Sequence, residues 1–229
     1  MKLKVCGMKF VENIQQVAEL NPDYLGFIFY DSSKRNFEGI IPELSTNIKK
    51  TGVFVNELPE ILVSIVEEYQ LDAIQLHGDE SVDYIKTVRE QLAFSRSSRI
   101  EENKGRKKVK KPKSYDNLEI IKVFGIKDEF NFEVLQPYLE VVDYFLFDTK
   151  GEQRGGNGIH FNWSVLTKYP YDKPFFLSGG IGPNDENRIK EILNLDLPIY
   201  ALDVNSKFEI EPGLKNTQKL QSFKKNIEI

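Results

Sequence analysis

The chain carries a single cysteine, Cys6, and two histidines, His77 and His160. A lone cysteine can form no intrachain disulfide and no cysteine-rich metal site, and the histidines lack metal-ligand spacing. Proton transfer is one chemistry that the remaining residue types offer. A thiolate is a competent base, and a carboxylic acid held neutral is a competent acid. Cys6 ends the first apolar run of the chain and Asp148 follows the run Tyr144–Phe147. Each has a bland alternative, an inert buried thiol or a turn cap, and each alternative is stronger when the residue is taken alone. A third feature joins them. In LSGGIGPND, Leu177–Asp185, the residues Ser178, Gly179 and Gly180 lie between an apolar run and a helix opening near Asn184. Glycines let backbone amides close on an anion and a helix N-terminus adds its dipole, so this stretch reads as a phosphate loop. Asp203, Asn205 and Ser206, after the last apolar run, add polar groups to it. Gln75 and His77 close another run, as substrate contacts or, for His77, as support for a loop backbone.

The elements that must position these residues repeat along the chain. Strand-length apolar runs read Lys2–Cys6, Tyr24–Phe29, Gly52–Val55, Ala73–Leu76, Ile120–Phe124, Tyr144–Phe147, Phe175–Leu177 and Ile199–Leu202. Helical periodicity separates most of them. Ile61, Leu62, Ile65, Val66 and Tyr69 share one face, Val82, Ile85, Lys86 and Arg89 share another more weakly, and Leu214, Leu220 and Phe223 suggest a closing helix. Strands alternating with helices imply a parallel sheet, and this many repeats favour a single (β/α)8 TIM barrel over an open doubly wound sheet. In such a barrel the active site sits at the C-terminal ends of the strands. Cys6-Gly7, Ser33-Lys34-Arg35, Asn56, Gln75 with His77-Gly78, Asp148-Thr149, Ser178–Gly180 and Asp203 to Ser206 then fall on one face.

A length of 229 residues suits one barrel domain spanning 1–229. A net charge of −4 gives no global pull toward nucleic acid. No signal peptide opens the chain and no apolar stretch approaches a membrane span, so a cytoplasmic protein is expected. One segment breaks the pattern. Ala93 to Asn117, after a helix around Ser81 to Leu92, is rich in lysine, arginine and serine and reads as a basic insertion. The alternation resumes after it, so it is not a domain boundary. As a nucleic-acid-binding arm, Lys104–Lys113 lacks interleaved aromatics.

The blocks KVCGM at Lys4–Met8, DYLGFIFY followed by SSKR, GVFVNE at Gly52–Glu57, AIQLHGDE at Ala73–Glu80, FDTKGEQRGGNGIHFNW at Phe147–Trp163, LSGGIGPND, and ALDVNSKFEIEPGLKN at Ala201–Asn216 stand in order along nearly the whole chain. Together they resemble phosphoribosylanthranilate isomerase. The resemblance implies an Amadori rearrangement of N-(5-phosphoribosyl)anthranilate to 1-(2-carboxyphenylamino)-1-deoxyribulose 5-phosphate, in tryptophan biosynthesis. It implies that Cys6 is the general base, Asp148 the general acid and Arg35 the contact for the anthranilate carboxylate. The phosphate would be held by Ser178, Gly179 and Gly180 and by the loop around Asp203, Asn205 and Ser206. It implies no cofactor and no metal, and a small phosphorylated substrate as the partner; a monomer or homodimer is expected, and the sequence does not decide between them. Many members carry SSG after the last strand; here Asn205-Ser206-Lys207 replaces it, and Lys207 adds charge near the phosphate. Another sugar-phosphate barrel enzyme is the nearest rival. Arg154 with Gly155, Gly156 and Gly158 reads as a loop over the sugar, His160 as structural, and Trp163 as packing against the barrel.

Overall fold

A computed structural model describes residues 1–103, 115, 117–149 and 162–227. Eight strands, β1 (Lys2–Val5), β2 (Tyr24–Phe29), β3 (Lys49–Phe54), β4 (Ala73–Leu76), β5 (Glu119–Ile126), β6 (Tyr144–Thr149), β7 (Phe175–Leu177) and β8 (Ile199–Val204), pair in sequence order. Every pair is parallel, and β8 returns to β1 with Lys4 opposite Asp203, so the sheet is a closed barrel rather than an open one. Parallel strands buried on both faces read as continuous apolar runs, which is why each expected run became a strand. The edges differ. β3 starts at Lys49 because Lys49 and Lys50 pair with Tyr24 and Leu25, and β8 continues to Val204 against Val5.

The helices are α1 (Val11–Ala18), α2 (Pro59–Tyr69), α3 (Val82–Asn103), α4 (Glu186–Leu193) and α5 (Thr217–Asn226). Short 3-10 helices, Phe132–Tyr138 and Trp163–Lys168, follow β5 and β6 instead of full helices. Pro137 lies inside the first, where its ring and missing N–H oppose a regular helix. Helix α2 buries Leu62, Val63 and Val66, while Ile61 is exposed. Leu214 is not part of the closing helix. It lies in β10 (Leu214–Lys215), antiparallel to β9 (Glu209–Glu211), and α5 begins only after Asn216, whose side chain caps it by accepting from the Lys219 amide. Helix α3 runs past Leu92 to Asn103, into the stretch read as an insertion; residues 104–114 and 116 lie outside the described residues. No helix of the described residues is long and apolar enough to cross a membrane.

Two apolar clusters divide the core. The larger joins strand residues such as Leu3, Val5, Phe27 and Phe147 to the helix residues Ile14, Val17, Leu62, Ile85, Ile189 and Phe223, and so lies between barrel and helices. The smaller, Tyr24, Ala73, Ile121, Val123, Leu146, Phe176 and Ala201, contains no helix residue and fills the barrel interior. Burying each large apolar side chain contributes roughly 1.5–3 kcal/mol, so the closed wall on which the site is built is a stiff one.

Candidate active site

Strand alternation decides which side chains enter the barrel. On β1, Leu3 and Val5 join the outer cluster, so Lys4 and Cys6 face inward. The Lys4 side chain is fully buried, with its Nζ 2.8 Å from Asp203 Oδ1 on the neighbouring strand. Ser178 Oγ donates to Asp203 Oδ2 at 3.4 Å. Cys6 donates its amide to the Val204 carbonyl at 2.9 Å, and its buried thiol lies against Gly26 of β2, where a Cβ would stand 2.9 Å from Sγ. Gly26 is therefore what makes room for the thiol. Burial pushes the Cys6 thiol up; Lys4 and then Lys215 pull against that rise, and Asp203 adds to it. Burial opposes the charge on Lys4 too, but Asp203 and Cys6 outweigh it and raise its pKa.

Asp148 stands at the same end, on β6. Its side chain is 15% exposed and its Oδ2 lies 3.6 Å from His77 Nε2. Burial, with a contribution from the charge of Asp203, pushes the carboxyl up to about 7; the Thr149 amide, donating to Oδ1 at 2.8 Å, and Lys4 oppose the rise. A carboxyl group poised there can hand over a proton near neutral pH.

His77 is thus brought to Asp148, and a clamp fixes its loop. Glu80 accepts from the Asn56 amide at 2.8 Å and from the Gly78 amide at 3.0 and 2.9 Å. Asn56 Oδ1 accepts from the Asp79 amide at 2.6 Å. Lys122 Nζ donates to Glu80 Oε2 at 3.1 Å and to the Gly78 carbonyl at 2.9 Å. A Cβ on Gly78 would meet Asn56 Oδ1 at 2.1 Å, so only glycine fits the clamp. Gln75 shares a strand face with Ala73 of the interior cluster. It is buried, and its Oε1 has no partner among the described residues.

Gly179 and Gly180 take φ of +91° and +71°, the left-handed conformations that turn successive amides toward an anion. Lys207 stands across from this loop, its Cβ 3.3 Å from where a Cβ on Gly182 would be. Ser206 opens a 3-10 turn, Ser206–Phe208, and Asn205 precedes it. The geometry separates Asp203 from that set. Its carboxylate is bound to Lys4 and Ser178, and a negative charge there would repel a phosphate.

Arg35 is held over the Cys6-Gly7 corner. A Cβ on Gly7, whose φ is +75°, would stand 2.8 Å from Arg35 Cδ and 2.7 Å from Asn205 Oδ1. Arg35 forks onto Glu209, Nε to Oε1 at 2.9 Å and Nη2 to Oε2 at 2.7 Å. Lys215 Nζ donates to Glu209 Oε1 and to Asn205 Oδ1, both at 2.6 Å. Reading the sequence for functional residues missed Lys4, Gly26, Glu80, Lys122, Glu209 and Lys215. Lys4 and Lys122 carried a signal, a charge inside an apolar run; Glu209 and Lys215 carried none. Trp163 is buried in the outer cluster, with Arg188 over its ring at 4.3 Å. Arg154, Gly155, Gly156, Gly158 and His160 lie outside the described residues.

Comparison with known proteins points to one family. The model of the family described as N-(5'phosphoribosyl)anthranilate (PRA) isomerase matches residues 3–111 and 104–226, two stretches that meet in the basic segment. An N-(5'-phosphoribosyl)anthranilate isomerase of Parabacteroides distasonis is 39% identical over 99% of this chain and 93% of its own. One from Thermoanaerobacter pseudethanolicus is 35% identical over 97% and 96%. The crystal structure of phosphoribosyl anthranilate isomerase from Thermotoga maritima superposes with a TM-score of 0.74 at 29% identity, covering 100% of this chain and 98% of that one. A phosphoribosyl anthranilate isomerase solved in complex with reduced 1-(o-carboxyphenylamino)-1-deoxyribulose 5-phosphate superposes with a TM-score of 0.72 at 26% identity, over the same shares. With its closed parallel barrel and full-length matches of this kind, the chain belongs to the N-(5'-phosphoribosyl)anthranilate isomerase family.

Proposed function

We propose that the C-terminal face of this barrel carries out the family's step of tryptophan biosynthesis in the cytoplasm, with Asp148 as general acid and Cys6 as general base. The step is the Amadori rearrangement of N-(5'-phosphoribosyl)anthranilate to 1-(2-carboxyphenylamino)-1-deoxyribulose 5-phosphate. One observation carries the assignment of roles: a carboxyl group poised at about 7 shares one end of the barrel with a buried thiol under the influence of two ammonium groups, Lys4 and Lys215.

Asp148 protonates the furanose ring oxygen, the bond from the anomeric carbon to that oxygen breaks, and an iminium forms with the anthranilate nitrogen. The iminium acidifies the hydrogen on the adjacent carbon, which the Cys6 thiolate removes; the resulting enol tautomerises to the ketone. Burial disfavours the thiolate in the free chain, and the cationic iminium beside it shifts the balance toward the thiolate once substrate is bound. His77 orients Asp148, Gln75 offers its free amide oxygen to the sugar, and Asp203 acts as a positioning residue between Lys4 and Ser178. The substrate's phosphate sits on Ser178, Gly179, Gly180, Asn205 and Ser206 with Lys207 beside them, and its carboxylate meets Arg35. Anchors at both ends hold the sugar between acid and base, and such positioning is worth several kcal/mol. The ligand named in the related complex carries both a carboxyphenyl and a phosphate group, as this reading requires.

The test is an assay of the purified chain with freshly made phosphoribosylanthranilate, following loss of substrate fluorescence. Turnover proportional to enzyme is expected; no turnover above the uncatalysed decay overturns the proposal.

A further inference from the structure

We infer that Lys215 and Glu209, on the hairpin after β8, make Arg35 selective for a substrate carboxylate: Glu209 braces one edge of the guanidinium, and Lys215 keeps the assembly electropositive. The inference rests on the reading of Arg35 as the carboxylate contact.

Glu209 takes the inner edge of Arg35. Nε donates to Oε1 at 2.9 Å and to Oε2 at 3.1 Å, and Nη2 donates to Oε2 at 2.7 Å. The outer edge, Nη1 and the second Nη2 hydrogen, has no partner among the described residues. That edge is the planar fork that binds a carboxylate bidentately. A brace with a full negative charge creates a difficulty, because Arg35 and Glu209 alone form a neutral pair with no net attraction for a second carboxylate. Lys215 removes it. Its Nζ donates to the same Glu209 Oε1 at 2.6 Å, so the three groups together carry one positive charge. The Lys215 side chain is 0% exposed and that of Glu209 is 5% exposed, so water screens this charge weakly.

The hairpin is held from outside the site. The Lys215 amide donates to Asn13 Oδ1 at 2.7 Å and Asn13 Nδ2 donates to the Lys215 carbonyl at 2.9 Å, tying β10 to α1. The Gly213 amide donates to Glu209 Oε1 at 3.1 Å. Burial pulls Lys215 down to about 8, with Glu209 and Cys6 supporting its charge and Arg35 opposing it, so the ammonium persists at neutral pH. Burial would push Glu209 up, but Arg35 and Lys215 hold it below the usual carboxylate range.

The experiment compares two probes by calorimetry: reduced 1-(2-carboxyphenylamino)-1-deoxyribulose 5-phosphate and the same molecule with an unsubstituted phenyl ring. The readout is the preference, the ratio of their dissociation constants. Lys215→Met should cut the preference at least about tenfold; any loss of phosphate affinity through Asn205, which Lys215 also holds, weakens both probes alike and cancels in the ratio. Lys215→Arg should keep it. The double variant Lys215→Met/Glu209→Gln, in which Arg35 again supplies one net positive charge, should recover most of it. A merely structural lysine would not be rescued by a second substitution. Binding of the phenyl probe reports folding; Lys215→Gln replaces Lys215→Met if the latter fails to bind it. Unchanged preference in the neutral variant, or a double variant no better than the single, overturns the inference while Arg35→Met still abolishes the preference. If Arg35→Met itself leaves the preference intact, the reading of Arg35 fails and the inference with it.

Discussion

The two ends of the barrel hold the same kinds of residue and use them differently. At the N-terminal end Tyr24 donates to Glu119 at 2.9 Å, Lys49 pairs with the same carboxylate, Tyr144 stacks on Tyr200 with centroids 4.3 Å apart, and Lys2 lies 4.9 Å above the Tyr200 ring. Burial drives Tyr24 and Tyr144 above the ordinary tyrosine value, away from physiological pH. Tyr24 and Tyr144 stay neutral, while hydrogen bonds, that from Lys2 first, draw Tyr200 below the ordinary value against its burial. At the C-terminal end Asp148 is moved toward physiological pH, to about 7, and Gln75 Oε1 is left open. Burial raises a pKa in both places, so perturbation alone does not mark a catalytic group. The mark is a shift that ends near neutrality in a cluster with a polar atom still to be satisfied.

The largest expected effect separates the ends by chemistry. Cys6→Ala and Asp148→Asn should each lower kcat by roughly 10²–10⁴-fold with the fold intact by circular dichroism; near-normal turnover in either would erase the functional distinction. Next, Arg35→Met should raise KM by about 10–100-fold with a smaller change in kcat, because a carboxylate contact serves ground and transition states alike. A loss confined to kcat would show Arg35 acting in the chemistry instead. At the opposite end, Glu119→Gln should lower Tm by roughly 3–10 °C and leave kcat/KM unchanged, since it weakens bonds that only stabilise. A drop in kcat/KM would show that the ends communicate.

A smaller effect follows from linkage. The folded state holds the Asp148 proton up to about pH 7, whereas the unfolded chain gives it up near its ordinary value of 3.8. Stability from this group is therefore present at low pH and lost as pH rises from about 4 to about 7. Asp148→Asn should raise Tm at pH 8 by at least about 2 °C and change it little at pH 4. Thermal scans at the two pH values check this, and a variant that melts lower at pH 8 removes the case for a strained carboxyl. The smallest effect belongs to residues 104–114, which connect α3 to β5 and so join strand β5 at its N-terminal end. Replacing them with a short Gly-Ser turn should leave turnover unaltered, because loop length costs only about 0.6 kcal/mol per doubling. A large loss of turnover would place that connection in the catalytic half.

Much of this molecule could be read locally. The strands were visible because a barrel wall buried on both faces needs uninterrupted apolar runs, and a run is a local property. Cys6, Asp148 and Ser178–Gly180 stood out because they follow such runs, where chemistry collects in this architecture. Helix α3 beyond Leu92 was missed because its later residues, at Ala93 to Asn103, show no apolar stripe. Pairing across distance had no local trace at all. Nothing near Asp203 says that its carboxylate turns inward; the register that sets Lys4 opposite Asp203 decides it, through a salt bridge of 2.8 Å between residues at opposite ends of the chain. Nor does anything near Glu209 or Lys215 announce a partner at Arg35, since a charged side chain after the last strand is ordinarily solvated. By itself the sequence determined which segments form the wall and which residues stand at its mouth. Only closure of the barrel, which brings the first and last strands together and folds the final hairpin against Lys9 and Arg35, decided which charges those residues face.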